Sequence, residues 1–447
     1  TLPSGIFPLS PPGLEALYLA CRRIYPDQPN PLQVAAVVKY WLGGPDPLDY
    51  ISMYSNPGNQ QLGIPPHWHY ISFGLSDLHG DGRVHERSSP AELSGYGFEL
   101  TFRLKRDVGE TAPPTWPAAL LQSLAKYVFH SGNTVCAGDH VSWHSALDGS
   151  ESLIEHMLLD IDPQLGSINT PCGTVDFVQI IGVSYEEMRA AQRWNGMGVL
   201  DLLKRIPNGG CGGLWLVTDM RRGESLFQLD PNASLLVDEG IEADGSNLSG
   251  VTANCAWSEN FVVNQKSCQN FLVTVGDQYH SEFLRYNIFR FVTIKLLILT
   301  NFYRGRNSLG LGNSGFETTE LLQTKVLENV HLTFNLESGS LLPLAIRGRV
   351  KHGRHFTFKS ACSPIAITFV AESVTGSFVD VDKPYVAHGP WLQLLLNEDS
   401  SNQLLEKLQP LISHPEQIML PQTYTLNDKK LSITILPDGV SEKEPLF

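Results

Sequence analysis

Three segments between residues 48 and 106 alternate apolar and polar side chains, and a period of two restricts that part of the chain to strands. They are Tyr50-Ile-Ser-Met-Tyr54, His67-Trp-His-Tyr-Ile-Ser-Phe73 and Phe98-Glu-Leu-Thr-Phe-Arg-Leu-Lys105. Gly80-Asp-Gly82 and Ser94-Gly-Tyr-Gly97 supply turns between them, so an antiparallel sheet is expected. Helices flank it. Leu14, Leu17, Tyr18, Cys21 and Ile24 stand at helical spacing between prolines. Thr115-Trp-Pro117 opens a second amphipathic helix, on which Leu120, Leu121, Leu124 and Val128 form one face.

Tyr127 lies near the end of that second helix, and the stretch after it is the first candidate for function. From Asp139 to His144 the residues alternate again, which puts Asp139, Val141 and Trp143 on one face and His140, Ser142 and His144 on the other. Two readings stand. Cys136, Asp139, His140 and His144 form a set of metal-ligand types, or the strand offers a sheet edge and an acidic side chain to a partner peptide. Against the first, four strand steps separate the backbones of His140 and His144 by roughly 13 Å, too far for them to share one ion easily.

Further on, Val175-Asp-Phe-Val-Gln-Ile-Ile-Gly-Val183 reads as a buried strand, and Ser184 with Glu187 has capping-box spacing at a helix start. That helix is expected to break at Trp194-Asn-Gly-Met-Gly198, with a short helix over residues 199–206. Leu214-Trp-Leu-Val-Thr218 is expected to be a strand, joined to it by Gly209-Gly-Cys-Gly-Gly213. In the last third, Val330-His-Leu-Thr-Phe334, His355-Phe-Thr-Phe-Lys359, Ala366-Ile-Thr-Phe-Val370 and Leu431-Ser-Ile-Thr-Ile-Leu436 read as strands. Residues 341–350 read as a helix with Pro343 in its first turn, and Leu404, Leu405, Leu408 and Leu411 make another helical face. The apolar run at residues 391–396 has no decisive period.

At 447 residues the chain exceeds what one hydrophobic core usually supports. The expectation is a mixed α/β (α+β) protein of two domains, each a mostly antiparallel or mixed sheet with packed helices. The first spans residues 1–250 and the second 327–447. Residues 251–326 form a linker with a variable insert, whose apolar centre at 283–304 shows no clear period. A net charge of -14 opposes binding to nucleic acid, which rests on basic groups displacing counterions. Seven cysteines, odd in number and without a Cys-x-x-Cys pair, point to reduced thiols. No secretory signal is visible, and residues 288–302 fall short of the ~20 apolar residues of a membrane span.

Catalytic chemistry has one candidate. His67 and His69 share one face of a strand about 7 Å apart, a spacing that two imidazoles can close onto one metal. Asp77, His79, Asp81 and His85 are third ligands only by proximity, so a metal-dependent enzyme stands as the alternative reading. There is no Gly-x-Ser-x-Gly elbow, and the Gly209 to Gly213 run lacks the Lys-Ser/Thr of a phosphate loop. No cofactor is expected.

Several strings are specific enough to carry a family resemblance. They include Tyr25-Pro-Asp-Gln-Pro-Asn-Pro-Leu-Gln-Val34, Tyr40-Trp-Leu-Gly-Gly-Pro-Asp-Pro-Leu-Asp-Tyr50 and His67-Trp-His-Tyr-Ile-Ser-Phe-Gly-Leu-Ser-Asp-Leu78. Gly97-Phe-Glu-Leu-Thr-Phe-Arg-Leu-Lys105, Gly138-Asp-His-Val-Ser-Trp-His-Ser145, Thr218-Asp-Met-Arg-Arg-Gly223 and Asp244-Gly-Ser-Asn-Leu-Ser-Gly-Val251 join them. Arg347-Gly-Arg349, His352-Gly-Arg-His-Phe-Thr357 and His388-Gly-Pro-Trp-Leu-Gln393 extend the match into the second domain. Over residues 11–254 and 327–436 the chain resembles the Suppressor of Fused family, negative regulators of Hedgehog signalling.

The resemblance implies a non-enzymatic repressor, cytoplasmic and nuclear, whose two domains close on an extended peptide of Gli/Ci-type zinc-finger transcription factors. In that family the peptide adds as a strand. Carried over by motif, Tyr127, Asp139 and Leu341 line the peptide site, the strand of Val141 and Trp143 offers backbone, and Trp41, Ala118, Asp244 and Val251 fall in matching stretches. Other pathway components, such as the Fused kinase, are implied as further partners. The apolar 283–304 run departs from the polar, Ser- and acid-rich insert of the family, so regulatory modification sites there do not transfer.

Overall fold

The computed structural model describes residues 10–206, 210–259, 323–361, 363–413 and 418–438. The apolar run at 283–304 lies outside them, as do Cys268 and Cys362. The described residues form two compact units, divided between Val237 and Asp238.

In the first unit the alternating segments form one eight-stranded sheet. Its strands are β1 (Leu32–Ala35), β2 (Tyr50–Asn56), β3 (His67–Phe73), β4 (Leu93–Lys105), β5 (His140–Ser142), β6 (His156–Ile161), β7 (Ser167–Thr170) and β8 (Gly173–Val183). The order across the sheet is β1-β2-β3-β4-β8-β6-β5, with β7 also paired to β8. β2, β3 and β4 are antiparallel neighbours, as their alternation requires. Ser94-Gly-Tyr-Gly97, expected as a turn, instead lies within β4, where left-handed Gly95 and Gly97 shift its register against β8. β4 and β8 run parallel and make the sheet mixed. The period of two gives β3 two buried faces. Ile71 and Phe73 pack with Leu14, Leu17 and Cys21 of helix α1 (Pro12–Ile24), while Trp68 and Tyr70 pack with Leu120, Leu121 and Leu124 of helix α2 (Trp116–Ser131).

Helix α3 (Tyr185–Arg193) begins at the expected capping box, with Ser184 accepting from Glu187 N–H and Glu187 from Ser184 N–H. Helix α4 (Gly196–Lys204) follows after two residues and starts earlier than residue 199 because Asn195 caps it. The strand expected at Leu214 to Thr218 is absent. Gly213–Trp215 is a 3-10 turn, Leu216 is left-handed at φ 48°, and only Thr218 bridges to Leu104. The cause lies in tertiary contacts: Gln179 Nε2 donates to the Trp215 carbonyl at 2.8 Å, and Arg103 stacks 5.0 Å from the Trp215 ring. Helix α5 (Leu226–Leu229) is a single turn, and α6 (Ala233–Asp244) crosses the division.

In the second unit, β9 (Gly250–Ala253), β10 (Cys255–Ser258) and β11 (Thr324–Val326) are strands, within the stretch expected to be linker. They belong to the second unit's sheets because their partners lie there. The other strands are β12 (Val330–Asn335), β13 (Phe356–Ser360), β14 (Ala366–Val370), β15 (Tyr385–His388), β16 (Trp391–Leu395), β17 (Gln422–Leu426) and β18 (Leu431–Leu436). A six-stranded sheet has the order β11-β15-β16-β14-β13-β9, and a four-stranded one β10-β12-β18-β17. Phe334 and Ile433 from the smaller sheet share one core with Phe358, Phe369 and Leu394 from the larger. Helix α7 (Leu336–Gly339) precedes α8 (Leu342–Gly348), which carries Pro343 in its first turn as expected. Leu404 of α9 (Glu398–Lys407), Leu411 of α10 (Gln409–Ser413) and Leu408 between the two enter the core.

Candidate functional site

Helix α2 positions the first group of expected site residues. It ends at Gly132, left-handed at φ 70°, whose N–H donates to the Val128 carbonyl at 2.8 Å. Tyr127, one residue off the buried stripe, is half-buried on the flank of the core, and its Oη accepts from Asn133 Nδ2 at 2.9 Å. Asn133 was not among the expected residues; the Gly-Asn pair after a helix end is the signal that marks it. Ala118 lies in the core at 3% exposure, so its methyl contributes packing beneath the sheet. Trp41 is exposed on a 3-10 turn, Tyr40–Leu42, with the Arg83 guanidinium 4.8 Å from its ring. Its neighbour Tyr40 packs edge-on against Phe129 at 4.9 Å, which seats that turn at the Tyr127 end of α2.

Asp139 sits in the turn that feeds β5. Its Oδ2 accepts from Cys136 N–H at 3.0 Å, and the Cys136 Sγ lies 3.5 Å from the same oxygen. The turn is pinned to β6 by Gly138 N–H donating to Leu159 O at 2.8 Å and Leu159 N–H donating to Asp139 O at 3.0 Å. β5 then pairs antiparallel with β6 and ends the sheet. Val141 is buried and Trp143 packs against the same core, so both face inward as the alternation implies. The strand closes at His144, left-handed at φ 62°, and is therefore shorter than the sequence period suggests. Asp139 O and the Trp143 N–H, which donates to His156 Nδ1 at 3.3 Å, both point to β6. By the alternation of an antiparallel ladder, His140 and Ser142 turn their backbone N–H and C=O groups to the open edge. Burial lowers the His140 pKa, against the opposing pull of Asp139, and lowers that of His156 to about 4, with the adjacent His144 adding to the effect.

Three expected residues lie in the second unit. Val251 is on β9, the edge strand of the six-stranded sheet, in parallel register with Phe358. Leu341 caps α8 and packs, half-buried, against the core. Asp244 is exposed at the last residue of α6, followed by left-handed Gly245 at φ 82°.

The metal reading of His67 and His69 fails on geometry. The two rings are neighbours on β3, but three of their four nitrogens are hydrogen-bonded within the protein and the fourth faces a carboxylate. His67 Nδ1–H donates to Pro65 O at 2.8 Å and its Nε2 accepts from Arg103 Nη1 at 2.9 Å. His69 Nδ1 accepts from Tyr25 Oη at 2.8 Å, and its Nε2 lies 3.0 Å from Asp162 Oδ2. Both rings are fully buried, and burial followed by the Arg103 charge lowers His67 to about 3 and His69 to about 4. Of the proposed third ligands, Asp77 Oδ1 accepts from the N–H of His79 and Gly80, Asp81 pairs with Arg83, His85 Nε2 meets Gly74 O, and His79 Nε2 faces Asp49 Oδ2 at 3.6 Å. No group of three His, Cys, Asp or Glu among the described residues could hold a metal ion. The described cysteines, Cys21, Cys136, Cys172, Cys211 and Cys255, are thiols outside any disulfide, and no described helix is long and apolar enough to cross a membrane.

Two family models match the chain: "Suppressor of fused protein (SUFU)" over residues 44–223 and "Suppressor of Fused Gli/Ci N terminal binding domain" over residues 236–435. The mouse and human proteins named Suppressor of fused homolog are each 53% identical over 449 aligned positions, covering 96% of this chain and 92% of theirs. The chain belongs to the Suppressor of fused family. The crystal structure of Drosophila Suppressor of Fused superposes with a TM-score of 0.73 at 39% identity, covering 96% of this chain and 98% of that one. Membership agrees with the two-unit mixed fold; the first matched model ends at residue 223, the second begins at 236, and the division after Val237 falls just inside the second.

Proposed function

We propose that this chain is a non-enzymatic negative regulator of Hedgehog signalling that binds an extended peptide of Gli/Ci-type transcription factors, holds them in the cytoplasm and represses transcription. The observation that carries this reading is the open edge of β5 with a carboxylate at its start. An added strand would take backbone bonds from His140 and Ser142, while Asp139 selects a cationic or imidazole side chain and Tyr127 lends an apolar wall. The Gli/Ci-binding description of the matched second-unit model supports the same partner, and in this proposal Val251 on the β9 edge and Leu341 supply further contacts. Residence in both cytoplasm and nucleus, and a Fused-type kinase as a further partner, belong to the same proposal.

Asp139→Arg is expected to weaken binding of a Gli-type N-terminal fragment by roughly a hundredfold or more, since like charges then meet across the strand edge. Titration calorimetry measures the loss, and an unchanged circular dichroism spectrum shows that the fold is kept. Unaltered affinity would remove β5 from the site.

A further inference from the structure

Trp194-Asn-Gly-Met-Gly198, which the sequence marks only as a helix break, is packed against the turn that carries Asp139. Asn195 Oδ1 caps α4 by accepting from Gly198 N–H at 2.6 Å, and Gly196 is buried at the first helical position. A Cβ on Gly196 would lie 2.3 Å from the carbonyl oxygen of Gly138 and 3.0 Å from its carbonyl carbon, distances that real Cβ atoms do not tolerate against backbone. A Cβ on Gly198 would lie 2.3 Å from the Trp194 ring. Both glycines are helical, so their need is for space and not for a left-handed backbone, and each stays at a cost in helix propensity relative to Ala. The far end of α4 is tied down as well, by Lys204 Nζ on Asp160 Oδ2 at 2.9 Å. Asp160 belongs to β6, the strand whose Leu159 holds the other side of the same turn.

The turn is thus clamped between β6 and the start of α4. We infer that Gly196, supported by Gly198, is a positioning residue for the peptide site: by letting α4 close onto the Gly138 backbone, it sets where Asp139 stands at the start of the β5 edge. The inference rests on the peptide-site reading above.

A double-mutant cycle tests it. The probe is the N-terminal fragment of a Gli-type transcription factor, with each of its Lys, Arg and His residues replaced in turn by Ala. In the unaltered protein one replacement should be coupled to Asp139→Ala, costing roughly tenfold in affinity when Asp139 is present and little when it is absent. Gly196→Ala is expected to lower overall affinity and to shrink that coupling to within about twofold of none. Gly198→Ala, where the half-buried Trp194 ring can swing aside, should do the same more weakly and keeps the test open if Gly196→Ala does not fold. A purely structural glycine would lower affinity for every probe alike and leave the coupling intact, and that result overturns the inference while the peptide site stands. If no probe is coupled to Asp139 in the unaltered protein, the peptide-site reading falls and the positioning role falls with it.

Discussion

Asp162→Ala is expected to cost about 3–5 kcal/mol of stability, a large part of the 5–15 kcal/mol typical of a whole domain. Asp162 is the acceptor at the centre of a fully buried cluster. Arg103 donates to both of its oxygens at 2.9 Å, Thr101 Oγ1 to Oδ2 at 3.0 Å, and the backbone N–H groups of Gln164 and Leu165 to Oδ1 at 2.9 Å. The Arg103 and Asp162 side chains are both wholly shielded from solvent, and the guanidinium, with His69, holds the Asp162 carboxyl well below its ordinary range. Removing the carboxylate leaves a buried cation with His67 Nε2 and Gln164 Oε1 as its remaining acceptors, and strands two backbone donors. The loss also reaches the loop at Trp215, whose ring Arg103 stacks against. Urea unfolding followed by tryptophan fluorescence reads the change, and a loss under about 1 kcal/mol would show the pair to be dispensable. Replacing Arg103 and Asp162 together by apolar residues should cost less than the single change, because neither charge is then left alone.

Acid should destabilise the first unit at a pH where exposed carboxylates are still ionised. His67, His69 and His156 are all held neutral, at about 3, 4 and 4 against an ordinary 6.5, with burial as the leading cause. Their folded values are depressed, so the unfolded chain takes up protons first as the pH drops. The stability they contribute is complete above pH 6.5 and is lost as the pH falls from there toward 4 and 3. Asp162 and Glu187 are also depressed, Glu187 by its bonds to Arg222 against the opposing effect of burial, and they carry the loss further below about pH 4. The urea midpoint should therefore stay level from pH 8 to 7 and fall steeply between about 6.5 and 4. His156→Asn, which keeps an acceptor for the Trp143 N–H, should make that slope shallower. A midpoint constant over this range would mean that these rings do not titrate as their burial requires.

Some of this molecule can be read from short stretches of sequence because the forces involved are short-range. The Ser184 and Glu187 capping box needs only four residues, and both of its bonds are formed. The strands of residues 50–105 follow from a period of two, and the face of α2 from a period near four. Leu214 to Thr218 misleads because its β-forming residues are held instead by Gln179 and Arg103, which come from strands far away in sequence. The apolar run at residues 391–396 resolves into β16 only through pairing with β14 and β15, which buries it on both sides.

The site divides in the same way. Tyr127, Asp139 and the alternation of Val141 with Trp143 were visible in order along the chain, since a helix end, a turn and a short strand are local events. That β5 lies at the end of the sheet and leaves a backbone edge open is decided by β6 pairing with β8 on its other side. The histidines show the same contrast. Sequence spacing alone placed His67 and His69 side by side, but the fold brings in Arg103, Asp162 and Tyr25 to occupy their nitrogens. Residue type and spacing determine what a local stretch can offer, whereas burial and partners from distant strands determine whether that chemistry is spent inside the core or left open to another molecule.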